Sequence, residues 1–583
     1  MSQGGTLSTH IHGQYPQALP ANDAEAKRAR MRETKTPAAS ALLVDCLIEQ
    51  GCDRIFTVPG ESFLPVLDAL HDRPSIDVVT CRQEGGAAFM ACADGTMTGR
   101  PGICFVTRGP GATNASIGVH VAHQDSQPMI LFVGDVARDA RDREGFQEVN
   151  FEAFFGPICK WAARIDDPAR IPEYVARAYS TAISGRPGPV VIALPEDMLH
   201  EDVGGTPRPQ VIRPAQAPCP DAMQTMMAMI GDAASPLAII GGAGWNPKAR
   251  EHFQLFAERI GIPVATAFRR QDAISPTSRV YAGNLGYGPN PKLVERVKQA
   301  DLILAVGARL GEATTDGYSF PTLDHPGQQL IHVHPDPEEL GRVYRADLSL
   351  CCAMDDFAES AALWEDNSII SFDAGEEAHA EWEAWSTAGS NGFELDMGQA
   401  VTFMRDTFPA DTIICNGAGN FSGWWHRYWR YAGFPTQLAP TAGAMGYGVP
   451  AAVAAARRFP DRMVVAVAGD GDFLMNGQEL ATAAQHGCNM LVIVVDNSTY
   501  GTIRMHQERE FPARLSATHL QNPDFAAFGA AFGAWSATVD TTEGFKNALS
   551  EARGLGGLRV IHAKIDIEQL AASGATVSGL RAK

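Results

Sequence analysis

The 583-residue chain is poor in cysteine: it has 11, and none falls in a Cys-x-x-Cys pair. Zinc and dithiol redox motifs of that spacing are therefore excluded, and the set is too sparse for a disulfide scaffold. Long apolar runs are also lacking. No stretch approaches the roughly 18 uninterrupted apolar residues of a membrane-spanning helix. Positive charge is in deficit, since 47 Lys+Arg against 67 Asp+Glu leave a net −20. Nucleic acid and anionic membranes both require a basic face, so neither is expected as a partner. Residues 1–35 are polar, with Pro16, Pro20 and the patch Lys27-Arg28-Ala29-Arg30, and they lack the apolar core of a secretory signal. A flexible tail and a cytoplasmic location are the expectations.

What is present is an ordinary globular composition, 45% apolar and 20% charged. At roughly 150 residues per domain the length suggests about three or four domains. From Thr36 onward, short apolar runs end in glycine-rich turns and lead into amphipathic stretches. Examples are Ile55–Val58 before Pro59-Gly60, Ile103–Thr107 before Gly109-Pro110-Gly111, and Met129–Val133 before Gly134. Continuous apolar strands alternating with helices imply parallel sheets covered on both faces. The expected fold is thus α/β, with three doubly wound parallel-sheet domains. The expected boundaries are a tail over 1–35, a first domain over 36–203, a Pro-rich linker over 204–221, a central domain over 222–365, a charged linker over 366–392, and a third domain over 393–583.

The third domain carries the strongest chemical signal. A strand over Val464–Ala468 runs into Gly469-Asp470-Gly471-Asp472-Phe473, and a helix is expected over about Asn476–His486. A second strand, Leu491–Val495, ends in Asp496-Asn497-Ser498-Thr499-Tyr500-Gly501. Both polar clusters stand at the C-terminal ends of strands, where open parallel sheets bind ligands. Asp470 and Asn497 supply hard oxygens suited to Mg²⁺, with backbone carbonyls and phosphate oxygens completing an octahedral shell. Gly469 and Gly471 allow the backbone to approach a diphosphate at a helix N-terminus. Either cluster alone is an ordinary turn. Their pairing, each after an apolar strand, is far more specific.

This pairing resembles the signature of the thiamine diphosphate enzyme superfamily, Gly-Asp-Gly followed after about 25 residues by Asn-Asn. Here 24 residues separate Gly471 from Asp496-Asn497, and Asp496 replaces the first Asn. The resemblance implies that Asp470, Asn497 and the carbonyl of Thr499 bind Mg²⁺, with Gly469, Gly471, Asp472 and Tyr500 at the cofactor. It also requires an activating carboxylate in the first domain. Cys81-Arg82-Gln83-Glu84-Gly85-Gly86-Ala87-Ala88 resembles the family's Arg-His-Glu pattern, which makes Glu84 the group that hydrogen-bonds the aminopyrimidine ring. Val58-Pro59-Gly60-Glu61 resembles a cofactor-proximal loop, which includes Gly60. Gly109-Pro110-Gly111-Ala112-Thr113-Asn114 resembles the family's glycine-rich loop. Gly417-Ala418-Gly419-Asn420 resembles a diphosphate loop, with Asn420 as the contact. Gly443-Ala444-Met445-Gly446 resembles the segment whose bulky residue, here Met445, props the cofactor in its V shape.

Within the superfamily the chain resembles the acetolactate synthase, pyruvate oxidase and 2-oxo acid decarboxylase branch over residues 36–570. Phe146-Gln147-Glu148 resembles a segment whose Gln lines the active site. The departures are Gln83 for His, Arg108 for Ser, and His506 where a Trp shapes the acceptor pocket. They place titratable groups, His123 among them, where another substrate could be handled. His123 is accordingly a candidate catalytic residue beside Glu84 and Gln147. Gly241-Gly242-Ala243-Gly244 and His334-Pro335-Asp336-Pro337 resemble the nucleotide site that holds FAD in acetolactate synthases. No flavin-contacting cluster is evident around Ala308–Glu312, so FAD is disfavoured. The resemblance thus implies thiamine diphosphate- and Mg²⁺-dependent decarboxylation of a 2-oxo acid with ligation to a carbonyl acceptor, in a homodimer or homotetramer. The alternatives are a simple 2-oxo acid decarboxylase, a 2-hydroxyacyl-CoA lyase, or, in a different class, a flavin- or NAD-dependent oxidoreductase. A basic cluster for CoA phosphates does not stand out. An oxidoreductase would leave Glu84 without a task.

Overall fold

A computed structural model describes residues 37–321, 327–364 and 371–582. The expected tail lies outside them.

The apolar runs form three six-stranded sheets, and every strand pairing is parallel. The first sheet contains β1 (Arg54–Thr57), β2 (Asp77–Thr80), β3 (Gly102–Val106), β4 (Met129–Asp135), β5 (Trp161–Arg164) and β6 (Pro189–Pro195). Its order is β2-β1-β3-β4-β6-β5. All seven residues of β4 and of β6 are buried, as a sheet covered on both faces requires.

The central sheet contains β7 (Pro236–Ile240), β8 (Val264–Thr266), β9 (Tyr281–Asn284), β10 (Leu302–Val306), β11 (Gln329–His334) and β12 (Leu348–Cys351). Its order, β12-β11-β10-β7-β8-β9, is that of dinucleotide-binding folds read from the far edge. The third sheet contains β13 (Ile413–Asn416), β14 (Gln437–Leu438), β15 (Val464–Gly469), β16 (Met490–Asp496), β17 (Trp535–Val539) and β18 (Leu558–Lys564). It is ordered β14-β13-β15-β16-β18-β17, so the first and third domains share one topology.

These two domains also share a core. The helix Glu84–Thr98 packs on the helix Gly448–Arg458, and one buried apolar cluster spans both domains. Ion pairs rim the contact: Arg458 to Asp94 at 2.8 Å and Arg457 to Asp77 at 2.7 Å.

Within the expected linker over 366–392, the helix Ala374–Trp385 packs on β9. Trp382 is buried against Tyr281, ring centroids 4.6 Å apart. Its buried positions, Gly375, Ala378 and Trp382, make a sparse stripe at helical spacing. The exposed Glu376 and Glu377 obscure that stripe in a reading by composition.

Candidate active site

In the third sheet the strand order reverses between β13 and β15, and ligands bind beyond the C-terminal strand ends at such a point. A cavity of about 240 Å³ lies there. Its lining includes Asn420, Gly443, Met445, Gly469, Asp470, Gly471, Asp472, Asn497, Thr499 and Tyr500. Residues expected from four separate segments therefore meet at one cavity.

The local sequence explains the arrangement. The helix expected over Asn476–His486 begins earlier, at Asp470, and continues through a 3-10 turn at Gly477–Glu479 into Leu480–Gln485. Asp470 and Asp472 stand in its first turn, where the helix dipole favours negative charge. A Cβ at Gly471 would lie 2.4 Å from Tyr500 Cε1, so this close approach needs glycine.

Asp472 ties two loops together. Its Oδ1 accepts from the amides of Ala418 at 3.0 Å and Gly446 at 2.9 Å. Its Oδ2 is buried and has no partner among the described residues, and burial pushes the carboxyl up to about 7. Asp470 Oδ1 accepts from Gly471 N at 2.9 Å, and Oδ2 accepts from Asn522 Nδ2 at 2.8 Å. Burial raises the Asp470 pKa, and the neighbouring Asp496 adds to the rise. Asp496 is also pushed up by burial. Its hydrogen bonds from His562, Ser498 N and Asn522 outweigh that and hold its pKa low.

Sequence reasoning missed several residues of this cavity. Thr502 Oγ1 accepts from Asn420 N at 3.0 Å and bonds Asn420 Oδ1 at 3.1 Å. Ile565 and Leu570, near the C-terminus, supply an apolar wall. Nothing in their local sequence marks them.

The first domain holds a separate group of candidates. Asn114 Nδ2 donates to Glu84 Oε2 at 2.9 Å. A Cβ at Gly111 would lie 3.6 Å from Glu84 Oε1 and 3.0 Å from Thr107. One at Gly60 would lie 2.4 Å from the same Thr107. Gln147 adopts φ +64°, and its carbonyl accepts from Gly109 N at 2.9 Å. Glu84, Gly60 and Gln147 thus gather beyond one end of the first sheet, and none of them lines the third-domain cavity.

His123 stands apart from both groups. It lies 14 residues along the helix Gly109–Asp125, about 21 Å from its start at 1.5 Å per residue. There its carbonyl accepts from Arg186, and Arg309 of the central domain is a charged neighbour. Burial, reinforced by these arginines, depresses its pKa to about 4.

Comparison with known proteins decides the family. Residues 38–154, 223–360 and 417–563 match, in turn, the N-terminal TPP binding, central and C-terminal TPP binding domains of thiamine pyrophosphate enzymes. The acetolactate synthase large subunit of Parasynechococcus marenigrum is 32% identical over 519 residues, which cover 86% of this chain and 83% of that one. The large subunit of Corynebacterium glutamicum is 30% identical, covering 92% and 88%. The acetolactate synthase of Bacillus subtilis is 27% identical, covering 90% and 92%. The chain belongs to the thiamine pyrophosphate enzymes. It is an enzyme of their acetolactate synthase-like branch, of the decarboxylase and carboligase kind.

The residues of this thiamine pyrophosphate enzyme suit the cofactor. Gly469 and Gly471 bring backbone to the cavity where a Cβ would collide with Phe421 or Tyr500. The oxygens of Asp470, Asn497 and Thr499 form a donor set for a hard divalent ion that keeps phosphate ligands. The cavity is smaller than the roughly 300 Å³ at the low end for small-molecule sites.

Proposed function

We propose that this enzyme binds thiamine diphosphate with Mg²⁺ at the third-domain cavity, decarboxylates a 2-oxo acid, and ligates the acyl unit to a carbonyl acceptor. The observation that carries the reading is the convergence of Asp470, Asn497 and Thr499 with the glycine turns on one cavity. Asp470, Asn497 and the Thr499 carbonyl would hold the metal. Gly469, Gly471 and Asn420 would take the diphosphate, and Met445 would support the rings. Bound there, the cofactor would supply a carbon nucleophile for a carbonyl and, in its cationic ring, an electron sink for decarboxylation.

Glu84 would hold a proton at the aminopyrimidine ring, oriented by the Asn114 hydrogen bond. Gln147 would bind the substrate, its backbone fixed by Gly109 N. Strained φ values persist where a site over-determines them, which agrees with this role.

The site is completed by a second copy of the chain. Asp125, at the far end of the helix that touches Glu84 through Asn114, accepts from Thr441 N at 2.9 Å, at the base of the Met445 loop. Eleven residues of helix, about 16 Å, separate the two contacts. Glu84 does not line its own chain's cavity, which supports a homodimer as the smallest active unit, with a homotetramer as a pair of them. A cytoplasmic metabolic setting suits the −20 charge.

FAD is possible but disfavoured in this reading. At the switch point of the central sheet, a Cβ at Gly242 would lie 1.9 Å from Gly307 O. Arg270 Nε donates to Gly242 O at 3.1 Å, and the cavity beside it measures only about 40 Å³.

The test is a CO₂-release screen over 2-oxo acids, with and without carbonyl acceptors, products identified by mass. Cofactor-dependent CO₂ with a condensed product supports the proposal. CO₂ with a free aldehyde as the only product would reduce it to simple decarboxylation, for which the exposed His506 in place of the acceptor-pocket Trp speaks.

A further inference from the structure

The loop Pro440–Gly446 carries Gly443 and Met445 on the cavity wall, yet few of its fastenings come from its own domain. Asp125 of the first domain accepts from Thr441 Oγ1 at 2.6 Å, Thr441 N at 2.9 Å and Ala442 N at 2.9 Å. Arg269 of the central domain donates Nη1 to Pro440 O. Asp472 of the third domain accepts from Gly446 N at 2.9 Å. Three domains therefore converge on seven residues.

The central domain's share is built with care. Arg269 is buried at φ +59°, a left-handed conformation that costs a non-glycine residue energy. Arg270 reaches back from the Gly242 turn, donating to Gly242 O at 3.1 Å and to Asp125 O at 3.4 Å. Gln271 N donates to Gln437 Oε1 at 2.7 Å, and Asp272 Oδ2 accepts from Thr436 N at 3.0 Å. The segment Arg269–Asp272 thus occupies the side of the central domain that faces the cofactor loop. The small residues Gly443 and Gly446, at φ +68° and +78°, leave that loop little stiffness of its own.

We propose that Asp125 is a positioning residue for the reaction, acting through Thr441 and Ala442 to set the place of Met445, with Arg269 as its counterpart from the central domain. On this view the central domain of this enzyme works as a clamp on the cofactor loop. The inference rests on the cofactor reading above. It assigns a task to residues that touch neither cofactor nor substrate.

The experiment compares the parent holoenzyme with Asp125→Asn, Thr441→Val and Thr441→Ser, each saturated with thiamine diphosphate and Mg²⁺. Turnover per bound cofactor, KM for the 2-oxo acid, and the near-ultraviolet circular dichroism of the bound cofactor are measured. Asp125→Asn is expected to lower kcat on the order of 10- to 100-fold with KM nearly unchanged and an altered dichroism band. Thr441→Val is expected to move the same quantities less, and Thr441→Ser, which keeps the hydroxyl, to restore them. Parent-like kcat and dichroism per bound cofactor in the Asn and Val variants would overturn the proposal, whatever their thermal stability. So would a Ser variant as impaired as Val. Should Asp125→Asn fail to fold, the Val and Ser pair decides. A parent that binds no cofactor would instead overturn the functional reading.

Discussion

Asp496 Oδ2 lies 2.8 Å from His562 Nε2, and both side chains are buried, Asp496 on β16 and His562 on the neighbouring β18. Asp496 departs from the family signature, which has Asn at this place. The structure supplies the partner that the departure needs. A buried carboxylate is costly unless paired, and here an imidazole, the Ser498 amide and the Asn522 amide all serve it. Removing the imidazole strands the carboxylate. His562→Leu should therefore cost about 3–5 kcal/mol of stability. Asp496→Asn in the same chain should recover much of that loss. Urea midpoints for the two single variants and the double variant measure the coupling, and purely additive losses would refute the pairing.

Glu84 and Asp470 provide a test of the shared site. Glu84→Gln should lower turnover by about 10²- to 10⁴-fold, the range for a positioned proton-transfer group, and leave cofactor binding intact. Asp470→Ala should be inactive for want of metal. If each site takes Glu84 from one chain and Asp470 from the other, mixed dimers of the two inactive variants contain one intact site. Random mixing should then restore about a quarter of the parent activity. A site built within one chain would restore none.

Buried histidines set a pH dependence. Burial depresses His334 to about 4 and His426 to about 3. The unfolded chain takes up these protons first, near pH 6.5, so the stability linked to neutral His334 is complete above that pH. It is lost as pH falls toward 4. Asp472 works in the opposite sense, since its carboxyl, raised to about 7, favours the folded state as pH falls below 7. The comparison must therefore be between parent and variant. The stability difference between the parent and His334→Asn should shrink from pH 7 to pH 4.5, and a difference independent of pH would contradict the assignment.

His123 shows what the histidine pKa means for function. It is neutral at pH 7, with Arg186 of the first domain and Arg309 of the central domain as charged neighbours. His123→Asn should leave kcat/KM within about threefold, the scale of an ordinary surface change. A loss of a hundredfold would return it to the catalytic set.

The reading without FAD predicts a colourless enzyme. Purified protein should lack flavin absorbance near 450 nm. Added FAD should change neither its melting temperature nor its turnover.

Much of this was legible in the sequence because its signals are local. Apolar runs ending in glycine turns gave the strands, and the spacing of Asp470 and Asn497 gave the cavity. The unreadable part is tertiary. The partner of Asp496 lies 66 residues away on another strand. The contact of Asp125 with Thr441 spans 316 residues. The Ile565 and Leu570 wall looks like any apolar pair. The setting of His123 is hidden for the same reason: its position on a helix says nothing about which domain faces it.

The central claim is that the third-domain cavity holds thiamine diphosphate through a divalent ion on Asp470. Calorimetric titration of the cofactor into the parent and into Asp470→Ala, each with Mg²⁺ and with chelator, tests it most directly. The account predicts a saturable heat in the parent that vanishes with chelator and is absent from Asp470→Ala in either condition. Equal affinity in parent and variant, or binding indifferent to Mg²⁺, would contradict it.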